Sequence, residues 1–380
     1  MRVLHTFSGL NLGGLEFRIL DQLAWLQAHG HTAVFAGPSR SETLALARQR
    51  GLPTLEIDFD SPYSVSTIRR LRTAVRQMGI HVIDSHGAKD GQASALCRDL
   101  CTLVRTWHFA RKPSTSWRRR LEWRLGCHRV IATSRSGAGN IVAAGFAPRR
   151  RVSVVGEWAA PGFFASEQRE ARRHAMRRTL ALAPRSFVVA TVGMLRPEKG
   201  QAELVRVVHL LLQRGIPAVA LVVGKPTQRT LAYEQAVRDL AVQLEIEKSV
   251  IFTGHREDIG DVLQAVDAVL VPSSCEAWSR IIPEAFASRC PVVASDVGGI
   301  PEIVQPRETG WLCGAGDTAG FADRIADIWA NPHIADQITD RARKYAEHHF
   351  SISVKMSQTL EAYETALTAS RSGRSIALAD

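Results

Sequence analysis

Two spaced glutamates, Glu276 and Glu284, follow an apolar run in the second half of the chain. The run AVLVP at 268–272 predicts a buried strand, and Pro283 is typical of the first residue of a helix. Ligands of open parallel sheets bind at the carboxyl ends of the strands. We therefore expect both carboxylates to line one crevice and bind a hydroxyl-rich ligand. The alternative is a solvated loop glutamate and a first-turn glutamate stabilised by the helix dipole.

A second motif, GMLRPEKG at 193–200, follows another apolar strand and carries Arg196 and Lys199. A planar guanidinium and a compact ammonium together suit a diphosphate. They would also stabilise negative charge on a departing diphosphate, so both are candidate catalytic and ligand-binding groups. The alternative is an ordinary charged surface turn.

These motifs belong to an ordered set between Val188 and Gly316. On this set the chain resembles the family 4 (group 1) retaining glycosyltransferases of GT-B fold. The resemblance implies an α/β fold of two doubly wound Rossmann-like domains with a deep interdomain cleft. It also implies sugar transfer from a nucleotide-diphosphate sugar. The matching segments are VGMLRPEKG (192–200), FTGHREDI (252–259), the paired glutamates, PVVASDVGGIPEIV (291–304), GGLE (13–16) and RTWHFAR (105–111).

The resemblance implies roles for individual residues. Glu276 would contact hydroxyls of the donor sugar and offset positive charge at the anomeric carbon, and Glu284 would bind the ribose hydroxyls. Arg196 and Lys199 would bind the diphosphate, although the family commonly has an arginine where this chain has Met194. Further donor-binding candidates are Ser279, Arg280 and Ile281, whose backbone amides precede the helix, and Gly14.

The acceptor-side candidates lie in the first half of the chain. Gly13 and Gly14 would let the backbone approach a ligand closely, or they form a plain turn. His108 resembles the family's histidine near the reacting sugar and is also a catalytic candidate. His86 ends the preceding strand, where a purely structural hydrogen bond is the alternative. We expect no required divalent metal and no other cofactor.

Strands and helices alternate through the first half, which predicts a doubly wound parallel sheet. An arginine-rich stretch at 158–184 predicts a linker. The predicted strands are 1–7, 32–37, 54–58, 82–86, 103–108, 129–134 and 152–157. The predicted helices are 15–30, 41–50, 64–78, 90–101 and 135–144.

A second alternating unit follows. Its predicted strands are 186–193, 217–224, 250–254, 268–272 and 291–295, and its predicted helices are 229–244, 258–266, 317–331 and 334–348. We expect an acceptor-binding domain at 1–165 and a donor-binding domain at 166–350. By resemblance, a terminal helix at 351–368 returns to the first domain, and residues 369–380 form a poorly ordered tail.

The composition is that of a globular protein, with 380 residues of which 45% are hydrophobic. No apolar run approaches the ~18 residues that span a bilayer, and the chain enters a strand at once, so we expect a cytoplasmic protein. Six scattered cysteines lack zinc-site spacing and should be free thiols, with Cys97 and Cys101 on one helix face.

The net charge of +11 makes an anionic partner plausible. No nucleic-acid-binding motif is present, so we do not expect that partner. In the basic segment 111–124 and just before it, arginines alternate with aromatic residues, which indicates an anionic membrane surface. A solvated helix face is the alternative. The aromatic residues are Trp107, Phe109, Trp117 and Trp123.

Together these features favour a retaining glycosyltransferase that acts on a hydroxyl acceptor. The expected acceptor is a lipid-linked cell-envelope glycolipid or polysaccharide intermediate in lipopolysaccharide or exopolysaccharide biosynthesis, met at the inner face of the cytoplasmic membrane. The alternative is a nucleotide-sugar epimerase of GT-B type or a non-catalytic sugar-nucleotide binder.

Overall fold

In a computed structural model, which describes residues 1–110, 112–165 and 167–377, the chain forms two compact units. The first comprises Met1–Gly156 and Ser353–Asp380, and the second comprises Glu157–Ile352. Arg111 of the basic segment and residues 378–380 of the expected tail lie outside the described residues.

In the described part of the first unit, seven short strands form a parallel sheet. They are β1 (Arg2–Thr6), β2 (Thr32–Gly37), β3 (Thr54–Glu56), β4 (Val82–Ser85), β5 (Thr102–Trp107), β6 (Arg129–Ala132) and β7 (Val152–Val154). Their order in the sheet is β3-β2-β1-β4-β5-β6-β7. The helices are α1 (Gly14–Ala28), α2 (Glu42–Gln49), α3 (Val65–Gln77), α4 (Ala88–Ala95), α5 (Trp117–Gly126) and α6 (Arg135–Ala143).

The second unit repeats this plan with six strands in its described part. They are β8 (Phe187–Val192), β9 (Ala218–Val223), β10 (Val250–Gly254), β11 (Ala268–Val271), β12 (Val292–Ser295) and β13 (Trp311–Cys313), in the order β10-β9-β8-β11-β12-β13. The helices are α7 (Arg169–Thr179), α8 (Gln201–Gln213), α9 (Leu231–Gln243), α10 (Ile259–Ala265), α11 (Ile281–Ala287), α12 (Thr318–Ala330) and α13 (Pro332–His349). The last helix, α14 (Ile352–Ala377), joins the first unit through Ser353 and the residues after it.

Apolar strands account for this architecture. Strands such as β4, β11 and β12 are buried at every position, as in parallel sheets that helices cover on both faces. Separate clusters of buried aliphatic side chains pack on the two faces of the second sheet. The predicted α/β class with two doubly wound, Rossmann-like units is confirmed.

Each sheet has a point at which the order of strand addition reverses. In the first sheet β1 lies between β2 and β4, and in the second sheet β8 lies between β9 and β11. Doubly wound folds bind ligands outside the carboxyl ends of the strands at this switch point. Residues that follow β1 and β4, or β8 and β11, are therefore the ones that the fold places at a site.

The expected linker at 158–184 is wrong in part, because it contains the helix α7. Arg173 donates to Asp267 over 2.6 Å and also to the carbonyls of Gln264 and Val266. Arg177 donates to the Ala265 carbonyl over 2.9 Å. Two arginines of the stretch, Arg173 and Arg177, therefore bind the end of α10 and the residues that lead to β11.

Among the other boundaries that differ from the predictions, three concern residues or segments singled out in the sequence. The helix α4 ends at Ala95, and tight turns carry the chain on to Cys97 and Cys101, so these buried cysteines do not share a helix face. The helix α11 begins at Ile281, which makes Pro283 its third residue; proline is tolerated there because the first-turn N–H groups have no partner within the helix. The helix α14 continues to Ala377 rather than ending at 368. No proline interrupts it, and one glycine costs a helix only about 1 kcal/mol.

Two further expectations concern the whole chain. All six cysteines are free thiols, as predicted. Among the described helices, none is both long enough and apolar enough to cross a bilayer.

Candidate functional site

The centre of the candidate site in the second unit is an ion pair between Lys199 and Glu276. Lys199 ends the short turn that follows β8, and Glu276 lies in the loop that follows β11. The Lys199 Nζ and Glu276 Oε2 atoms are 2.5 Å apart, and the Ser273 hydroxyl donates to the same carboxylate oxygen over 3.3 Å. The Glu276 side chain is only 9% exposed, whereas that of Lys199 is 34% exposed. The switch point of the sheet thus brings together two residues that are 77 positions apart.

Two glycines fix the backbone around this pair. Gly200 has φ +72°, and a Cβ there would lie 2.5 Å from the Pro272 carbonyl oxygen at the end of β11. Gly298 has φ +57°, and a Cβ there would lie 1.8 Å from the Glu276 carbonyl oxygen. The Gly299 amide donates to that same carbonyl over 3.2 Å. Because only glycine fits such positions, the GG of the 291–304 segment serves to hold Glu276.

Glu284 has a different partner. The Arg280 Nε atom donates to Glu284 Oε1 over 2.8 Å, across one turn at the start of α11. Ser279 and Ile281 are buried beside this turn. Together with Lys199 and Glu276 they line a small cavity at the carboxyl ends of β8 and β11. The structure thus brings four sequence-predicted residues to one edge of the sheet, namely Lys199, Glu276, Ser279 and Ile281.

Arg196 is half-buried at the start of the turn that ends with Lys199, and its guanidinium lies 3.3 Å from the Met194 sulfur. Gln201, which sequence reasoning missed, is buried next to the same turn. Its side-chain amide donates to the Met194 carbonyl over 3.2 Å. The loop that departs from the family pattern at Met194 is therefore tied to the start of α8.

In the first unit, three histidines form a hydrogen-bonded row. His5 lies in β1, His86 directly follows β4, and His108 directly follows β5. The His5 Nδ1 and His86 Nε2 atoms are 2.9 Å apart, and the His86 Nδ1 and His108 Nε2 atoms are 3.0 Å apart. His5 and His86 are buried, and His108 is half-buried. Sequence reasoning found His86 and His108 but missed His5, because a histidine inside an apolar strand carries no local signal.

Two buried carboxylates hold this row in place. Asp90 accepts hydrogen bonds from the backbone amides of Ser8, His86 and Gly87 over 3.2, 3.1 and 3.0 Å, so it joins the loops after β1 and β4. Asp84 accepts from Thr106 over 2.8 Å and from Tyr363 of α14 over 2.7 Å. The positions of the rings are thus fixed from three strands and one distant helix.

Burial keeps the rings neutral. It lowers the pKa of His5 and that of His86 to about 3 in each case, with help from nearby positive charge. It also places the pKa of His108 well below its ordinary value. One source of that charge is Arg18 of α1, which is fully buried and donates to the carbonyls of Gly156 and Val155 over 3.2 Å. At neutral pH each ring therefore has one N–H and one lone pair.

The glycines expected near this site do begin the first helix. Gly13 is the N-cap residue of α1 and Gly14 is its first residue, in the segment that follows β1 at the switch point. A Cβ on Gly14 would meet no atom within 4 Å, so nearby protein atoms do not require glycine there.

One group in the described residues has the geometry to hold a metal ion. His5, Asp84 and His86 each have a ligand atom within 4.8 Å of the others. The imidazole nitrogens already face each other at hydrogen-bond distance, Asp84 already accepts two hydrogen bonds, and the charge of Arg18 acts on the same rings. These contacts fit neutral, mutually hydrogen-bonded rings better than a set of metal ligands.

Two family profiles match the chain. The profile described as "Glycosyl transferases group 1" matches residues 172–345, and the one described as "Glycosyltransferase Family 4" matches residues 12–157. These ranges include both candidate sites except for His5.

Two relatives illustrate the sequence similarity. A D-inositol 3-phosphate glycosyltransferase of Corynebacterium efficiens is 30% identical over 311 residues, which cover 77% of this chain and 73% of the relative. One from Nocardia farcinica is 34% identical over 243 residues, which cover 63% of this chain and 53% of the relative. The chain thus spans about half the length of several relatives that it matches.

Solved structures show the same fold along nearly the whole chain. A glycosyltransferase from Rickettsia africae has a TM-score of 0.88 at 17% identity and covers 96% of this chain and 98% of its own. The Anabaena protein HepE, crystallised with UDP, has a TM-score of 0.83 at 20% identity and covers 96% of this chain and 100% of its own.

Proposed function

Because the chain belongs to the group 1 glycosyltransferase family and has the GT-B fold, we propose that it transfers a sugar from a nucleotide-diphosphate sugar to a hydroxyl acceptor, with retention of anomeric configuration. The observation that carries this proposal is the Lys199–Glu276 pair at the switch point of the second sheet. It sets a partly exposed cation against a buried carboxylate at the edge where such sheets bind ligands.

Each residue of this site has a proposed role. Lys199 and Arg196 bind the diphosphate and neutralise the charge that develops as it departs. Glu276 accepts hydrogen bonds from hydroxyls of the donor sugar and offsets positive charge at the anomeric carbon. Glu284 binds the ribose hydroxyls. In this proposal Ser279, Arg280 and Ile281, at and just before the start of α11, contribute backbone amides to the donor site.

The first unit supplies the acceptor side in this proposal. Gly13, Gly14 and His86 lie at or after the ends of β1 and β4, and His108 follows the neighbouring β5. Gly14 also approaches the donor, and His108 donates or accepts a hydrogen bond at a substrate hydroxyl. The positive charges of Lys199 and Arg196 neutralise the diphosphate in place of a divalent metal ion. Transfer should therefore proceed without a metal or other cofactor. Activity that survives dialysis against EDTA would support this, and activity restored only by added Mg²⁺ or Mn²⁺ would contradict it.

A donor screen followed by a product assay tests the proposed reaction. HepE was crystallised with UDP, so UDP-sugars are the first candidates. A sugar nucleotide that binds only the folded chain raises its melting temperature. At a ligand concentration of 100 times the Kd, the free energy of unfolding rises by about 2.7 kcal/mol.

The donor found in this way is then incubated with and without a hydroxyl acceptor. Transfer to the acceptor supports the proposal. An isomerised sugar formed without acceptor indicates an epimerase instead, and binding without any turnover across an acceptor panel indicates a sugar-nucleotide binder.

We further propose that the acceptor is a lipid-linked cell-envelope glycolipid or polysaccharide intermediate, of the kind used in lipopolysaccharide or exopolysaccharide biosynthesis. In this proposal the protein is cytoplasmic and peripheral at the inner membrane face. The support comes from α5, which carries an exposed apolar stripe. Trp117, Leu121 and Leu125 are 69%, 48% and 58% exposed and follow one another at four-residue intervals.

Arginines border this stripe on both sides. At 3.6 residues per turn, Arg118 lies on one side, and Arg120 and Arg124 lie on the other. Trp123 points the other way and stacks on Phe146, with ring centroids 5.0 Å apart. The helix therefore presents apolar side chains framed by cations, which matches an anionic lipid surface.

Vesicle binding tests the membrane proposal. Full-length protein should bind vesicles that contain phosphatidylglycerol at low salt and bind phosphatidylcholine vesicles more weakly. Replacing Trp117, Leu121 and Leu125 with serine should weaken binding at least tenfold, since each apolar side chain is worth about 1.5–3 kcal/mol when buried. Serine at Leu231 and Val242, which are 56% and 61% exposed, is the matched control and should have no effect. Equal binding by the stripe variant and the wild type would exclude this surface.

A small anionic polyol is the second candidate acceptor, because the relatives named above are D-inositol 3-phosphate glycosyltransferases. Transfer to inositol phosphates in solution, unchanged by added vesicles and unaffected by the stripe variant, would favour this candidate.

A further inference from the structure

The row His5–His86–His108 runs from the buried core of the first sheet to a half-buried position. The two ring-to-ring distances, 2.9 and 3.0 Å, are those of hydrogen bonds, and both involve His86. His86 uses Nε2 toward His5 and Nδ1 toward His108. A neutral imidazole has one N–H, so His86 must donate to one neighbour and accept from the other.

Only two proton arrangements satisfy both bonds. In the first, His108 donates from Nε2 to His86, which donates from Nε2 to His5, and His5 then carries its own hydrogen on Nε2. In the second, His5 donates from Nδ1 to His86, which donates from Nδ1 to His108, and every ring carries its hydrogen on Nδ1. The two arrangements differ in what they leave at His5 Nε2 and at His108 Nδ1.

The inner end of the row discriminates between them. Within the described residues, His5 Nε2 is buried and has no hydrogen-bond partner. The first arrangement would place an N–H there without an acceptor, whereas the second leaves only a lone pair. Buried N–H groups without an acceptor are rarer in proteins than buried acceptor atoms without a donor. The second arrangement is therefore favoured.

We propose that His5 and His86 are positioning residues that hold His108 in the tautomer with its hydrogen on Nδ1, so that this N–H is presented as a hydrogen-bond donor to an oxygen of the bound substrate. The role of His108 at the substrate rests on the proposed function, but its tautomer does not. The His108 Nε2 atom is occupied by His86, which leaves Nδ1 as the ring nitrogen outside the row. Without the row, an exposed histidine would be free to exchange its hydrogen between the two nitrogens.

The surroundings keep the row neutral and rigid. Burial and the charge of Arg18 disfavour protonation of His86 and His108, and Asp84 is the acidic group that acts on His5 in the opposite sense. Asp84 is itself engaged by Thr106 from β5 and Tyr363 from α14. Asp90 holds the His86 amide from the start of α4. Fixed groups from α1, β4, α4, β5 and α14 thus surround the row.

Nitrogen NMR on the full chain tests the proposal in the absence of any substrate. With ¹⁵N-labelled histidine, long-range proton–nitrogen spectra at pH 7 show which ring nitrogen bears hydrogen, and His108→Gln identifies the His108 signals. We expect the Nδ1–H form for all three rings. A spectrum with His108 in the Nε2–H form, or in rapid exchange between both forms, overturns the proposal even if the protein is an active glycosyltransferase.

Variants then connect the tautomer to catalysis. His86→Leu removes the ring that donates to His108 Nε2, so His108 should lose its fixed tautomer. The kcat should then fall about tenfold if the Nδ1–H form drops to about a tenth of the population, with the donor KM unchanged. Leu4→Val shortens a buried side chain of the neighbouring strand β1 on the face opposite to His5, so it is the matched control and should keep the wild-type tautomers. Unchanged His108 signals in a folded His86→Leu protein would contradict the proposal. If that variant does not fold, the wild-type spectrum alone decides.

Discussion

At the scale of single residues, the Lys199–Glu276 pair predicts opposite effects of two substitutions. Lys199→Ala removes a charged donor and should weaken binding of the nucleoside diphosphate at least tenfold, since a hydrogen bond to a charged group is worth about 1.5–3 kcal/mol. Glu276→Gln removes the charge that competes for Lys199, so binding of the diphosphate should be unchanged or tighter while sugar transfer is lost. Calorimetry with the nucleoside diphosphate and a transfer assay measure the two effects.

Lys248→Ala is the matched control, because Lys248 is an exposed lysine of the same unit, remote in sequence from the two loops. It should leave both binding and transfer unchanged. If Lys199→Ala and Glu276→Gln weaken diphosphate binding equally, the two side chains do not have the separate roles proposed for them.

The sequence identified these two residues but not their bond. Each glutamate and lysine stands in a motif with a local signature, whereas an ion pair across 77 positions depends on strand order. His5, Arg18 and Asp90 were missed for a related reason. They are polar residues that the fold buries, and their partners come from other elements, so no local spacing marks them.

At the scale of elements, the loop after β12 sets the position of Glu276. Gly298→Ala would bring a methyl group against the Glu276 carbonyl in a backbone conformation that costs a non-glycine residue about 1–3 kcal/mol. We expect a less stable second unit and a large loss of transfer. Thermal unfolding and the transfer assay measure these changes.

Gly314→Ala provides the comparison in the same unit, because a Cβ there would make only ordinary contact, 3.9 Å from Asp317 Cβ. A Gly298→Ala protein with the stability and activity of Gly314→Ala would show that the close approach to Glu276 is unimportant.

Elements with strong periodicity were predicted well. Apolar runs that parallel sheets bury on both faces located most of the strands, including β2 and β10 without error. The helices α5, α7 and α8 and the short strand β13 were not predicted. In α5 and α7 arginines dominate, and their charge hides the weak apolar pattern. The arginines of α7 bind backbone carbonyls, a role that composition does not reveal.

At the scale of the whole molecule, the buried histidines predict a pH dependence of stability. The pKa of His5 and that of His86 are lowered to about 3 in the folded state, against 6.5 for an ordinary histidine. The unfolded chain therefore binds more protons than the folded chain between these values. The free energy of unfolding therefore reaches its full value above pH 6.5, where both rings are neutral in either state. It falls as the pH drops toward 3, by about 1.4 kcal/mol per pH unit for each histidine.

Urea unfolding at pH 7 and pH 5 measures this loss of stability. Hydrogen exchange of the β1 and β4 amides at the same two pH values then assigns the loss to the first unit. The pKa of Asp84 is raised by burial, which has the opposite effect on stability at lower pH. His86→Gln should flatten the slope by about a third, because burial lowers the pKa of His5, His86 and His108 and the substitution removes one of these three protonation sites. A slope that is the same in wild type and His86→Gln would place the proton uptake elsewhere.

The return of α14 to the first unit has a consequence for biosynthesis. Asp84 is hydrogen-bonded to Tyr363, and Thr102 to Ser370, although the seven described strands of their sheet have all been synthesised once residue 154 is added. At about 5–20 residues per second, translation of the remaining chain takes roughly ten seconds or more. During that interval the whole second unit is synthesised, whereas the nascent first unit still lacks the α14 side chains that pack beside Asp84. Ribosome-bound chains that stop before α14 should therefore engage chaperones through the first unit, which was the earlier one to be synthesised.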